Sequence, residues 1–79
     1  MKLYVTAYPS QAQNALGDFR GQKVQYITNS AVFSGTLRLD QKRNAYVIVT
    51  TGRERIYVTP ANILMIVKDE KEVRILTNV

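Results

Sequence analysis

The close spacing of turn signals is what most limits how this chain can fold. Beyond Gly21, short runs rich in Val, Ile, Thr, Tyr and Phe are broken by Asn29-Ser30, by the charged residues 40–43, by Gly52, by Pro60-Ala61 and by the charged residues 68–71. The breaks delimit strands over residues 23–28, 31–39, 44–51, 53–59, 62–67 and 72–77. Many short strands joined by tight turns predict a mainly β domain of the small-barrel type. Alternation assigns the faces. Phe33, Gly35, Leu37 and Leu39 line one side of the second strand, with Ser34, Thr36 and Arg38 on the other. Gly35 inside so long a strand predicts a sharp bend. In the fourth strand Arg53, Arg55 and Tyr57 oppose Ile56 and Val58. Residues 45–49 and 62–67 are apolar on both faces, so neither strand is expected to have a solvated side. Their second face must meet the helix, the terminal strands or another subunit.

Ahead of Gly21 the pattern differs. Residues 3–8 favour a strand, and Pro9 stops it. Ser10 is a good helix N-cap, residues 11–16 have helical propensity, and Gly17 or Gly21 can end the helix. Ala12, Ala15, Leu16 and Phe19 recur at helical spacing, giving a narrow apolar stripe suited to a lid on a sheet. No linker, low-complexity segment or internal repeat divides residues 1–79, which are expected to form a single domain. The longest apolar runs, 45–49 and 63–67, fall far short of the ~20 residues a membrane helix needs. The first residues lack a signal-type apolar stretch, so a cytoplasmic location and no membrane partner are expected.

Composition narrows the chemistry. Cysteine and histidine are both absent, which excludes a disulfide framework and leaves zinc without its preferred ligands. No metal or other cofactor is implied. The same absences remove the usual general base and the thiol nucleophile. The acids Asp18, Asp40, Glu54, Asp69, Glu70 and Glu72 are scattered, so no enzyme is expected. A net charge of +5 suits a polyanion, with nucleic acid first and an anionic membrane second. Solubility alone is the competing explanation. A chain this small without covalent or metal staples often gains burial from partner chains.

Particular residues then resemble a family. Phe33-Ser34-Gly35-Thr36-Leu37-Arg38-Leu39-Asp40 precedes Asn44 and the apolar Ala45-Tyr46-Val47-Ile48. This apolar-x-Gly element, the aspartate after it and the asparagine four residues later match the first motif of the Sm-like proteins, which include Hfq and the LSm chains. Val58-Thr59-Pro60-Ala61-Asn62-Ile63-Leu64-Met65-Ile66 stands where that family has its second motif, with Thr59-Pro60 replacing Arg-Gly. Lys42 replaces the stacking group often found two residues before the asparagine. The resemblance spans about residues 10–67 and makes 1–9 and 68–79 terminal strand extensions. It implies a short helix followed by a strongly bent, five-stranded antiparallel SH3-like barrel. It further implies a homo- or hetero-oligomeric ring closed by pairing the fourth strand of one subunit with the fifth of the next, and, with the two-faced apolar fifth strand and the small core, a homo-oligomer of roughly five to seven subunits is expected. It implies binding of single-stranded U- or A-rich RNA at the pore, without catalysis.

The resemblance assigns candidate roles. Asn44 can present a donor and an acceptor to a base edge; the alternative is a turn residue bonded to its own backbone. Lys42 and Arg43 are candidates for phosphate contacts, and Arg43 also for stacking; the alternative is a solvated charged turn. Thr59 can give one hydrogen bond but cannot stack. Asp40 is expected to support the loop rather than touch phosphate, and Gly35 is likewise structural. Arg53, Arg55 and Tyr57 on one strand face form a further basic and aromatic group, which could instead be merely exposed or lie in a subunit interface. Two other functions compete with RNA binding: a ring-forming structural or protein-interaction module, and a monomeric SH3-like adaptor.

Overall fold

The computed structural model describes residues 9–69 and 72–79. The expected strand at 3–8 lies outside them. The helix α1 spans Pro9–Asp18. It begins two residues earlier than expected, so Ser10 lies within its first turn rather than at the cap; proline's fixed φ suits a helix start. Ala12, Ala15, Leu16 and Phe19 are all buried, as their spacing requires. Gly17 stays inside the helix, and Gly21, at φ 85°, is the left-handed residue that turns the chain into the sheet.

Six strands follow: β1 (Lys23–Ile27), β2 (Val32–Asp40), β3 (Ala45–Thr50), β4 (Arg55–Val58), β5 (Ile63–Lys68) and β6 (Val73–Thr77). Their order in the single sheet is β4-β3-β2-β1-β6-β5. The protein is thus mainly β with one short helix. The sheet departs from the expected five-stranded antiparallel barrel in two respects. β6 enters the sheet between β1 and β5 and runs parallel to β1. The outer strands β4 and β5 are not paired with each other, so the sheet is not closed. β6 takes this central place because Val73, Ile75 and Thr77 alternate into the core, with the Thr77 hydroxyl donating to the Ile27 carbonyl at 2.9 Å.

Although open, the sheet is rolled. Laid flat, six strands would hold β4 and β5 about 24 Å apart. Only Thr59 and the 3-10 turn Pro60–Asn62 join Val58 to Ile63. Even fully extended, those steps reach about 18 Å. The sheet must therefore curl until its edges approach, and the helix packs over β5 and the 3-10 turn. The enclosed core contains Leu16, Phe19, Val24, Tyr26, Leu37, Ile48, Val58, Ile63, Ile66, Val73 and Ile75. Burial pushes the Tyr26 hydroxyl pKa up, opposed by a hydrogen bond with Thr77.

Gly35 sits mid-β2 where β3 crosses closest, opposite Thr50. A Cβ there would collide with the Val49 carbonyl oxygen and lie 2.8 Å from Ile48 Cγ2. Register assigns the outer face in cross-strand rows. One row is Val32, Ile27, Leu76 and Met65; another is Lys23, Thr36, Val49 and Arg55; a third is Arg38, Val47 and Tyr57. Val47 is buried on this outer side, while Ala45 and Val49 beside it are half-buried, so the outer face of β3 is apolar but only partly covered. β5 differs: Ile63 and Ile66 are buried, but Leu64 is 56% exposed on the open edge. No helix among the described residues is long and apolar enough to cross a membrane.

Candidate functional site

β2 and β3 are joined by the turn of residues 41–44, where the Asn44 N–H donates to the Gln41 carbonyl at 3.4 Å. Asn44 closes this turn at φ 50°. Asparagine tolerates the left-handed region better than most side chains do, which gives Asn44 a backbone reason to be there. Its side chain is exposed, with no hydrogen-bond partner among the described residues. Lys42 occupies the same turn, also exposed, and makes no ion pair among the described residues.

Asp40 anchors the turn. Its carboxylate accepts from the Tyr57 hydroxyl at 2.8 Å, from Arg55 Nη2 at 3.3 Å and, through Oδ1, from the Arg43 backbone N–H at 3.4 Å. The tyrosine hydrogen bond is the main reason that the Asp40 pKa lies below the ordinary carboxylate value; Arg55, Arg43 and the backbone bond add to it, and partial desolvation opposes it. The Asp40 side chain is only 13% exposed, against 54% for Arg55. The carboxylate is therefore the more enclosed member of the ion pair, held by three donors. That geometry ties the turn to β4.

Tyr57 joins the turn to β4. Its half-buried ring has the Arg43 guanidinium 5.0 Å from the centroid and that of Arg55 at 5.8 Å. Both lie within cation–π range. Leu39, Asp40, Gln41, Lys42, Arg43, Arg55 and Tyr57 together line an open depression of about 680 Å³. Arg53 does not join this group. It has φ 66° and donates its backbone N–H to the Thr50 carbonyl at 2.9 Å, so it belongs to the β3–β4 turn. The strand face expected to hold Arg53, Arg55 and Tyr57 therefore holds only the last two.

Thr59 follows β4 as the residue before the 3-10 turn; its carbonyl accepts from the Asn62 N–H at 3.0 Å, and its exposed side chain caps nothing. Gly35 lies away from the turn, at the β2–β3 crossing. Lys42, Arg43 and Asn44 thus share one turn with Asp40 beneath it. Arg55 and Tyr57 complete the depression, and the alternation of β4 was the signal that pointed to them.

A second depression, about 460 Å³, lies across the outer sheet face, where Lys23, Gln25, Ser34, Thr36 and Arg38 contribute to it. With Lys42, Arg43, Arg55 and Arg74, these cations place most of the protein's positive charge on the turn and the outer face. Of the acids there, Asp40 is engaged as described and Glu72 pairs with Arg74 at 2.8 Å. The helix carries no Lys or Arg. Among the described residues no group of three acids could hold a metal ion. Comparisons with family models, curated proteins and solved structures find nothing that matches this chain.

Proposed function

We propose that this protein is a non-catalytic subunit of a homo-oligomeric ring that binds single-stranded RNA, with an Sm-like barrel as its organising fold. The observation that carries the reading is charge segregation. Cations gather on the β2–β3 turn and the outer sheet face, where Asp40 and Glu72 are engaged by neighbours, whereas the helix itself carries no Lys or Arg. Such a surface suits a phosphate backbone. Lys42 and Arg43 meet phosphates, Asn44 reads a base edge, Asp40 holds the turn, and Thr59, which follows β4, offers one exposed hydroxyl.

The open edges support assembly. Among the described residues β4 and β5 are the outer strands of the sheet, each with one edge that no described strand pairs, and β5 adds the exposed Leu64. Pairing one subunit's β4 with the next subunit's β5 would remove both edges. The test is a titration with labelled oligo-U and oligo-A at low salt, alongside sedimentation mass. Binding by a closed oligomer is expected. An oligomer that binds neither probe would favour the structural-module reading, and a monomer would remove the ring.

A further inference from the structure

We infer that the depression on the outer face of the sheet is a binding site for a sugar phosphate, a hydroxyl-rich phosphate monoester. The inference goes beyond the RNA reading and does not depend on it. The depression measures about 460 Å³, within the roughly 300–1,000 Å³ usual for small-ligand sites. Register arranges its charged side chains. Lys23 lies opposite Thr36, and Arg38 stands two residues further along β2 on the same face. Diagonal neighbours of this kind are about 7–8 Å apart, a gap that one phosphate group held between two long side chains can fill. Both cations are exposed, and neither makes an ion pair among the described residues. Glu72, the acid that lines the depression, is already engaged by Arg74 at 2.8 and 3.2 Å. Two unpaired cations match a phosphate monoester, whose charge is about −1.5 to −2 at pH 7. A phosphodiester carries a single charge and would leave one cation uncompensated.

The remaining lining selects the body of the ligand. Gln25 and Ser34 face each other in the row beside Lys23 and Thr36. The side chains of Gln25, Ser34, Thr36 and Thr51 have no hydrogen-bond partner among the described residues. Together they offer both donors and acceptors, as sugar hydroxyls require. Val49, opposite Thr36, adds an apolar wall for the C–H groups of the sugar. No aromatic side chain lines the depression, so it gives a nucleobase nothing to stack on.

The experiment is a calorimetric titration at about 0.15 M salt with ribose 5-phosphate, ribose, inorganic phosphate and the dinucleotide UpU as probes. Ribose 5-phosphate should bind at least about 10-fold more tightly than each of the others, which lack the anion, the hydroxyls or the second charge. Lys23→Gln and Arg38→Gln each remove one charge from an exposed strand position. Each should weaken ribose 5-phosphate binding about 10-fold, the loss of one charge-assisted hydrogen bond in an open site. Lys42→Gln removes the same charge at the β2–β3 turn and should leave that affinity within about twofold. A melting curve for each variant shows that it folds, and the comparison of probes on wild-type protein decides even if one does not. No binding of ribose 5-phosphate at millimolar concentration overturns the site. Inorganic phosphate or UpU binding as tightly as ribose 5-phosphate also overturns it, since the depression would then be a general anion surface. Equal losses in Lys42→Gln and in the two depression variants overturn it too, because net charge alone would explain them.

Discussion

Gly35→Ala should be among the most damaging single-methyl changes this protein can receive. The new Cβ would collide with the Val49 carbonyl oxygen and lie 2.8 Å from both the Val49 carbonyl carbon and Ile48 Cγ2. Two of these three obstacles are backbone, and no rotamer change removes them. The third belongs to a fully buried core residue. Relief therefore requires β2 and β3 to separate at the Gly35–Thr50 pair. Overpacking of this kind costs about 1–3 kcal/mol. At about 4–8 °C per kcal/mol for a domain of this size, the melting temperature should fall by about 4–24 °C. Gly52→Ala is the control. Its nearest contact is Thr50 Oγ1 at 3.9 Å, and it should gain about 0.4–1 kcal/mol by restricting the unfolded chain. The assay is a set of paired thermal and urea melts at equal protein concentration, since assembly makes stability concentration-dependent. Gly35→Ala within about 0.5 kcal/mol of wild type would refute the close crossing of β2 and β3.

The two sides of β5 should respond differently. Ile66→Asp places an unpaired carboxylate in the core and should abolish folding, whereas Leu64→Lys on the exposed edge should preserve the circular dichroism spectrum and lower the sedimentation mass. An unchanged mass for Leu64→Lys would exclude the β5 edge as the assembly contact. Asp40 has a lowered native pKa, so its contribution is present above the unfolded value near 3.8 and is lost as pH falls through the native value. Asp40→Asn should accordingly flatten the acid limb of a stability–pH curve, and a limb as steep as wild type's would contradict the Tyr57–Asp40–Arg55 arrangement. Lys42→Ala should weaken all RNA sequences about equally and reduce the salt slope, while Asn44→Ala should mainly reduce discrimination among U-, A- and C-rich oligomers. Base preference untouched by Asn44→Ala would reduce Asn44 to its turn role.

Local chemistry made much of the fold legible. The apolar stripe of α1, the Asn29-Ser30 turn and the faces of β2 follow from spacing and turn residues; Gly35 drew the expectation of a bend, and its structural role is the close approach to β3. Pairing was less legible. Val73 and Ile75 identify a strand, but nothing within 72–77 specifies that it inserts beside β1 in parallel; that choice belongs to the whole core. Turn chemistry also misled locally. Gly52 drew attention at the β3–β4 turn, yet Arg53 beside it adopts the left-handed conformation, which removes Arg53 from the face of Arg55 and Tyr57. The Asp40–Tyr57 hydrogen bond joins residues on strands that are not neighbours, β2 and β4, so only the register of β2, β3 and β4 together reveals it.

The salt dependence of RNA binding tests the central claim most directly. Wild-type protein is titrated with labelled oligo-U at several salt concentrations, and log K is plotted against log salt. Each phosphate neutralised on a single strand contributes about −0.7 to the slope. Lys42 and Arg43, repeated around a ring, predict a steep negative slope amounting to several phosphates. A flat plot, or no binding at the lowest salt, would contradict an RNA-binding role for the basic turn.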